Sequence, residues 1–189
     1  DQLLDTQSGA KAQEFRTVVK DLRNTGLEIV FVFDSTGSMD SSIAAAKANI
    51  DEMLQTLRAL VPSARFGLVT YRDKGRREEY LVRQIPLTHD FFAAANFMQG
   101  IGADGGGDNP EAVLAGLASA FKQPFQRGSR RVVVLVGDAP PHNREMAELL
   151  DAVRRFTRKG LASVHTLVTD KRFGPDPKAA AMFEQIARR

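Results

Sequence analysis

Cysteine is absent from the 189 residues, tryptophan is absent too, and only two tyrosines occur. Without cysteine there is no disulfide scaffold, no thiolate metal site, no iron–sulfur cluster and no cysteine nucleophile. Chains without thiols are tolerated in oxidising and reducing compartments alike, so the compartment stays open. No apolar run approaches the roughly 20 residues that span a bilayer, and no membrane insertion is expected. The first residues, Asp1 to Ala10, lack the basic start and apolar centre of a signal peptide. Excess charge is also missing: 26 Lys and Arg against 23 Asp and Glu leave +3. Basic pairs at Arg76–Arg77, Arg130–Arg131 and Arg154–Arg155 have no aromatic residues interleaved as a nucleic-acid surface would. They read as solvated faces, and no nucleic-acid partner is expected.

What the chain has is alternation. Hydrophobic residues make up 43%, a globular composition sufficient for one domain with a sizeable core. Glu28–Phe33 and Arg131–Val136 are short continuous apolar runs rich in β-branched residues, which predicts strands buried on both faces. Arg65–Tyr71, Glu79–Ile85 and Leu161–Val168 read as further strands, the second a hairpin partner of the first across the Lys74–Gly75 turn. Apolar residues at spacings of three and four predict helices over Lys11–Leu22, Ser41–Leu60, Asp90–Ile101, Pro110–Lys122, Asn143–Arg158 and Pro177–Arg188. Asp90 is placed to cap its helix, and Gly160 to end the fifth. The expected fold class is α/β: a doubly wound, mostly parallel central sheet with one antiparallel edge hairpin strand and helices on both faces. The expected organisation is an N-terminal helical extension over residues 1–24 and the domain over residues 25–189. In such sheets a ligand binds beyond the carboxyl ends of the strands, which singles out the segments after Phe33 and Val136.

Both segments carry chemistry. Asp34-Ser35-Thr36-Gly37-Ser38-Met39 follows the first strand and Gly137-Asp138-Ala139-Pro140-Pro141-His142 follows the strand at Arg131–Val136. Between them Gly105-Gly106-Gly107-Asp108-Asn109-Pro110-Glu111 precedes a helix. If the chain stays extended, Asp34, Thr36 and Ser38 point the same way. One carboxylate and two hydroxyls are hard oxygen donors of the kind Mg²⁺ prefers, with water completing the shell. Asp138 can reach the same crevice from the neighbouring strand, and Asp108 and Glu111 from the glycine-rich segment.

These residues resemble those of the von Willebrand factor type A domain, the fold also found as the integrin I domain. Its metal-ion-dependent adhesion site has the pattern D-x-[ST]-x-S, matched by Asp34, Thr36 and Ser38. The family's later aspartate corresponds to Asp138. Its middle ligand, threonine in some branches and glutamate in others, corresponds to Glu111, with Asp108 and Asn109 as weaker candidates. Phe66-Gly67-Leu68-Val69-Thr70-Tyr71-Arg72-Asp73 resembles the second strand of bacterial and kinase-associated members. The resemblance covers roughly residues 25–188. It implies Mg²⁺, with Mn²⁺ or Ca²⁺ as alternates, bound directly by Thr36 and Ser38. Asp34, Asp138 and Glu111 would act directly or through water. The implied function is a protein-binding module, not an enzyme, whose ion is completed by an Asp or Glu carboxylate of a partner protein. The family usually continues into a sixth strand and a last helix, so the expectation is a domain lacking its last strand and belonging to a longer chain. The location leans to the bacterial periplasm or cell surface.

Other readings attach to the same residues. Asp, Ser and Thr also cap helices, which accounts for one of the first trio but not for three. Asp138 could be a turn residue, and Glu111 could favour a helix's first turn through the dipole. No Gly-Lys-Ser/Thr follows the glycines, which argues against a nucleotide loop. His89 and His165 read as structural, and His142 has no partner visible in the sequence. A haloacid-dehalogenase-type phosphatase would need a second aspartate two residues after Asp34, where Thr36 stands. A regulatory or assembly domain of a larger protein is the remaining alternative.

Overall fold

The structure, a computed structural model, describes residues 9–75, 78–106, 110–158, 160–170 and 174–188. Helix α1 (Gly9–Thr25) leads into strand β1 (Leu27–Asp34). A 3-10 turn, Gly37–Met39, runs into helix α2 (Asp40–Leu60), followed by strands β2 (Arg65–Tyr71) and β3 (Val82–Thr88). Then come helices α3 (Phe91–Gln99) and α4 (Val113–Phe121), strand β4 (Arg130–Gly137), helix α5 (Met146–Thr157), strand β5 (Ala162–Val168) and helix α6 (Pro177–Ala187).

The five strands form one sheet in the order β3-β2-β1-β4-β5. β1 pairs parallel with both β2 and β4, β4 pairs parallel with β5, and β3 alone runs antiparallel on the β2 edge. The sheet is thus mostly parallel with one antiparallel edge strand, as expected.

Alternation along β1 feeds two cores. Leu27, Ile29 and Phe33 pack with Ile43, Ile50 and Leu54 of α2 and with Ala94, Ala95 and Met98 of α3. Val30 and Val32 pack on the other face with Val113 and Leu117 of α4, Leu149 and Val153 of α5, and Phe183 and Ile186 of α6. Both faces of the central strands are covered, which is why those strands are nearly continuous in apolar residues.

Several boundaries differ from the sequence reading for identifiable reasons. β3 begins at Val82, not Glu79, because the residues before it bend across the site described below. α4 begins at Val113 rather than Pro110: Glu111 instead forms an isolated parallel bridge with Pro141. Asn143–Glu145 is a 3-10 turn, so α5 proper starts at Met146. Asp90 caps α3 as expected, its Oδ1 accepting the Ala93 N–H at 3.0 Å. Gly160 has φ +78°, the left-handed geometry of a helix-ending residue.

β1 connects to β2 on one side and borders β4 on the other. The chain order therefore reverses at β1, and a crevice opens beyond the carboxyl ends of β1 and β4. The register opposes Phe33 to Val136 and Asp34 to Tyr71, which brings Asp34, Tyr71 and the Gly137–Asp138 step to one end of the sheet.

Candidate metal centre

Asp34 closes β1 on the face that carries Val30 and Val32, and it is fully buried. Its Oδ1 accepts two hydrogen bonds from Thr36, from the backbone N–H at 2.9 Å and the hydroxyl at 2.7 Å. The carboxylate thus aims the threonine hydroxyl. Thr36 is extended (φ −71°, ψ 163°), but the chain then winds into the Gly37–Met39 turn. Ser38 therefore lies in a 3-10 turn and is exposed, correcting the expectation of a continuous extended segment. Capping does not account for these residues. Neither Thr36 nor Met39, the residues before the turn and before α2, makes a side-chain cap.

Asp138 follows β4 directly and is also fully buried. Glu111 is buried as well, held by its N–H to the Pro140 carbonyl at 3.0 Å and by the bridge to Pro141. The dipole reading of Glu111 falls away, since the residue lies two positions before α4. Its Oε2 is buried with no hydrogen-bond partner among the described residues. Burial, then the charges of Asp34, Asp73, Asp138 and Glu78, push its carboxyl up to about 8. Asp108 and Asn109, the weaker candidates, lie outside the described residues.

The glycine-rich segment passes directly over Thr36. A Cβ on Gly106, whose φ is +70°, would stand 2.6 Å from the Thr36 Cβ, so only glycine fits there. Gly37 N–H donates to the Gly105 carbonyl at 3.1 Å, and Asp104 N–H to the Ser35 carbonyl at 3.1 Å. These bonds join the first and middle segments.

In the sequence Tyr71 reads only as the end of a strand, a packing residue. It lies fully buried beside Asp34, crowded by α4: a Cβ on Gly116 would stand 2.6 Å from its Cδ1. Its hydroxyl has no hydrogen-bond partner among the described residues. Burial first, then Asp34, Glu111 and Asp138, raise its pKa well above the ordinary tyrosine value, so the phenol stays protonated. His142 does find a partner: its Nε2 is 3.1 Å from Asp73 Oδ1, a pairing between residues far apart in sequence. Lys74 pairs with Glu145 next to it. His89 meets the Ala64 carbonyl and His165 meets Ser163, both away from the site.

The candidate donors are hard oxygens: the buried carboxylates of Asp34, Glu111 and Asp138, the buried Thr36 hydroxyl and the exposed Ser38 hydroxyl. Among the described residues no three His, Cys, Asp or Glu side chains close into a metal cluster by themselves. An ion here would therefore need Thr36 and Ser38 beside the acids. The donor types fit Mg²⁺ or Mn²⁺, and Glu111's buried, unpartnered oxygen is the kind of group a cation would satisfy.

A family model for the von Willebrand factor A domain matches residues 28–187. The chain belongs to the von Willebrand factor A domain family. Such domains serve generally as interaction modules. An alpha-protein kinase of Dictyostelium discoideum is 27% identical over 161 residues, covering 84% of this chain and 25% of the kinase. A putative ariadne-like RING finger protein of Acanthamoeba polyphaga mimivirus is 25% identical over 125 residues, 64% of this chain and 12% of that protein. The chain thus spans a quarter or less of these relatives. Among solved structures, the pilus adhesin SpaC of Lactobacillus rhamnosus GG in its open conformation superposes with TM-score 0.66 at 14% identity, over 85% of this chain and 26% of the adhesin. An aerotolerance-related membrane protein of Bacteroides fragilis gives 0.63 at 18% identity, over 86% and 87%. At these identities the likeness is one of fold. No helix among the described residues is long and apolar enough to cross a membrane.

Proposed function

We propose that this von Willebrand factor A domain is a metal-ion-dependent protein-binding module. Thr36 and Ser38 would hold Mg²⁺ through their hydroxyls, with Asp34, Asp138 and Glu111 acting directly or through water; Mn²⁺ or Ca²⁺ could substitute. The ion would supply a Lewis-acidic position for one more anionic oxygen, an Asp or Glu carboxylate of the partner. Asp34 orients the Thr36 hydroxyl, Glu111 adds negative charge from the middle segment, and the Gly105–Gly106 backbone shields the threonine. The carrying observation is Glu111. Its carboxyl is buried, with Asp34 and Asp138 adding negative charge and one oxygen unpartnered among the described residues, an arrangement that favours a proton or a cation.

Immobilised protein challenged with peptides carrying Asp or Glu, and with their Asn or Gln counterparts, tests the reading. Retention of the acidic peptides is expected in Mg²⁺, with loss in EDTA and in Asp34→Ala. Equal retention in EDTA would contradict it. We read the domain as a binder rather than an enzyme. Thr36 stands where a phosphatase of the haloacid-dehalogenase type needs an acid, and no magnesium-dependent turnover of an aryl phosphate is expected. A second reading, a regulatory or assembly domain within a longer protein, draws on the small share of the kinase relative that the chain spans. It expects no metal uptake at millimolar concentration.

A further inference from the structure

The peptide unit between Gly105 and Gly106 is held at both polar ends. Its carbonyl oxygen accepts from Gly37 N–H at 3.1 Å. Its N–H donates to Glu78 Oε1 at 2.8 Å. Both glycines are left-handed, with φ +72° and +70°. Glycine visits positive and negative φ almost equally, so the backbone by itself does little to hold this peptide in one orientation.

The neighbours do hold it. The Glu78 side chain is only 8% exposed and faces the Arg72 guanidinium, 5% exposed, at 3.9 Å. Arg72 donates to the Gly102 carbonyl at 3.2 Å and lies 4.4 Å over the ring of Tyr80. Tyr80 in turn meets Ser35 Oγ at 2.9 Å. The segment before β3 therefore braces the first loop through Tyr80 and the glycine-rich segment through Glu78.

We propose that Glu78 is a positioning residue of the site: it fixes the orientation of the Gly105–Gly106 peptide and so the seat of the glycine-rich segment over Thr36. A flip of that peptide would lose the Gly37 bond and bring a carbonyl oxygen against a carboxylate, acceptor facing acceptor. A carboxylate accepting a backbone N–H makes a strong, charge-assisted bond, and Arg72 supplies the opposite charge behind it. Glu78 acts through the backbone, and its consequence for metal affinity rests on the metal-dependent reading above.

The test compares the whole chain with Glu78→Ala and Glu78→Gln, using amide exchange at Gly106 in metal-free protein and Mn²⁺ affinity by titration. In Glu78→Ala, Gly106 exchange is expected to accelerate at least about tenfold while β1 amides keep their protection, and Mn²⁺ affinity to fall about tenfold or more, the usual effect of losing a group that supports a ligand. Glu78→Gln keeps an acceptor oxygen and is expected to keep Gly106 protection. Unchanged Gly106 exchange in Glu78→Ala overturns the proposal, as does faster exchange with undiminished Mn²⁺ affinity. A wild-type chain that takes up no Mn²⁺ overturns the metal-site reading instead, and the exchange result still decides whether Glu78 orients the peptide.

Discussion

Two buried hydroxyl and carboxyl groups set the chemistry at the residue scale. Glu111 titrates near 8 in the folded chain and near the ordinary 4.5 when unfolded. Between these values the folded state holds the proton that the unfolded state has released, so the metal-free domain loses stability as pH rises from about 4.5 to 8. Urea denaturation is expected to show this decline, and Glu111→Gln to flatten it. A metal ion competes with the same proton, so Mn²⁺ affinity is expected to rise with pH and level off above about 8. An affinity independent of pH between 6 and 8 would remove Glu111 from the site. Tyr71 presents the converse case. Its buried hydroxyl has no hydrogen-bond partner among the described residues. Tyr71→Phe is therefore expected to leave stability unchanged or raise it, by about 1 kcal/mol at most, in the same denaturation experiment.

At the scale of elements, the site is made by where strands stop and what the chain does next. Gly106→Ala would strain a left-handed residue and drive its Cβ against Thr36. The expected cost is about 1–3 kcal/mol, read by urea denaturation, with weakened Mn²⁺ binding. Much of this is legible in the sequence. The doubly buried strands at Ile29 and Val133 announced themselves as continuous apolar runs, and Asp34, Thr36 and Asp138 stood at their carboxyl ends. The connections were less legible. A spacing of two reads as extended chain through Ser38, while the structure winds Gly37–Met39 into a 3-10 turn that runs straight into α2. The helical spacing of Val113, Leu114, Leu117 and Phe121 extends the predicted helix back over Glu111, while its bridge to Pro141 is a contact between distant segments. Arg72 reads in the sequence as packing at the end of a strand, Tyr80 as part of the Glu79–Ile85 strand, and nothing local marks Glu78. Their roles come from packing across four segments, which no local pattern records.

The whole molecule separates its two ends. At the amino ends of the strands, Glu28 is buried on β1 and accepts from Arg65, from Ser129 and from the Gln126 N–H at 2.8 Å. This network holds the start of β1 to β2 and to the approach to β4, far from Asp34 at the other end of the strand. Arg65→Met leaves the buried carboxylate without its cation and is expected to cost about 3–5 kcal/mol, with Mn²⁺ affinity per folded molecule unchanged. A large loss of affinity there would mean that the two ends are coupled. At the carboxyl ends, metal uptake should stabilise the domain by mass action, about 2.7 kcal/mol when the free ion is at 100 times its Kd. The most direct test of the central claim is a calorimetric titration of the chain with Mn²⁺ at pH 8, run beside Asp34→Ala. One ion per chain, lost in the variant, is the expected result. No uptake at millimolar Mn²⁺, or equal uptake by Asp34→Ala, would contradict it.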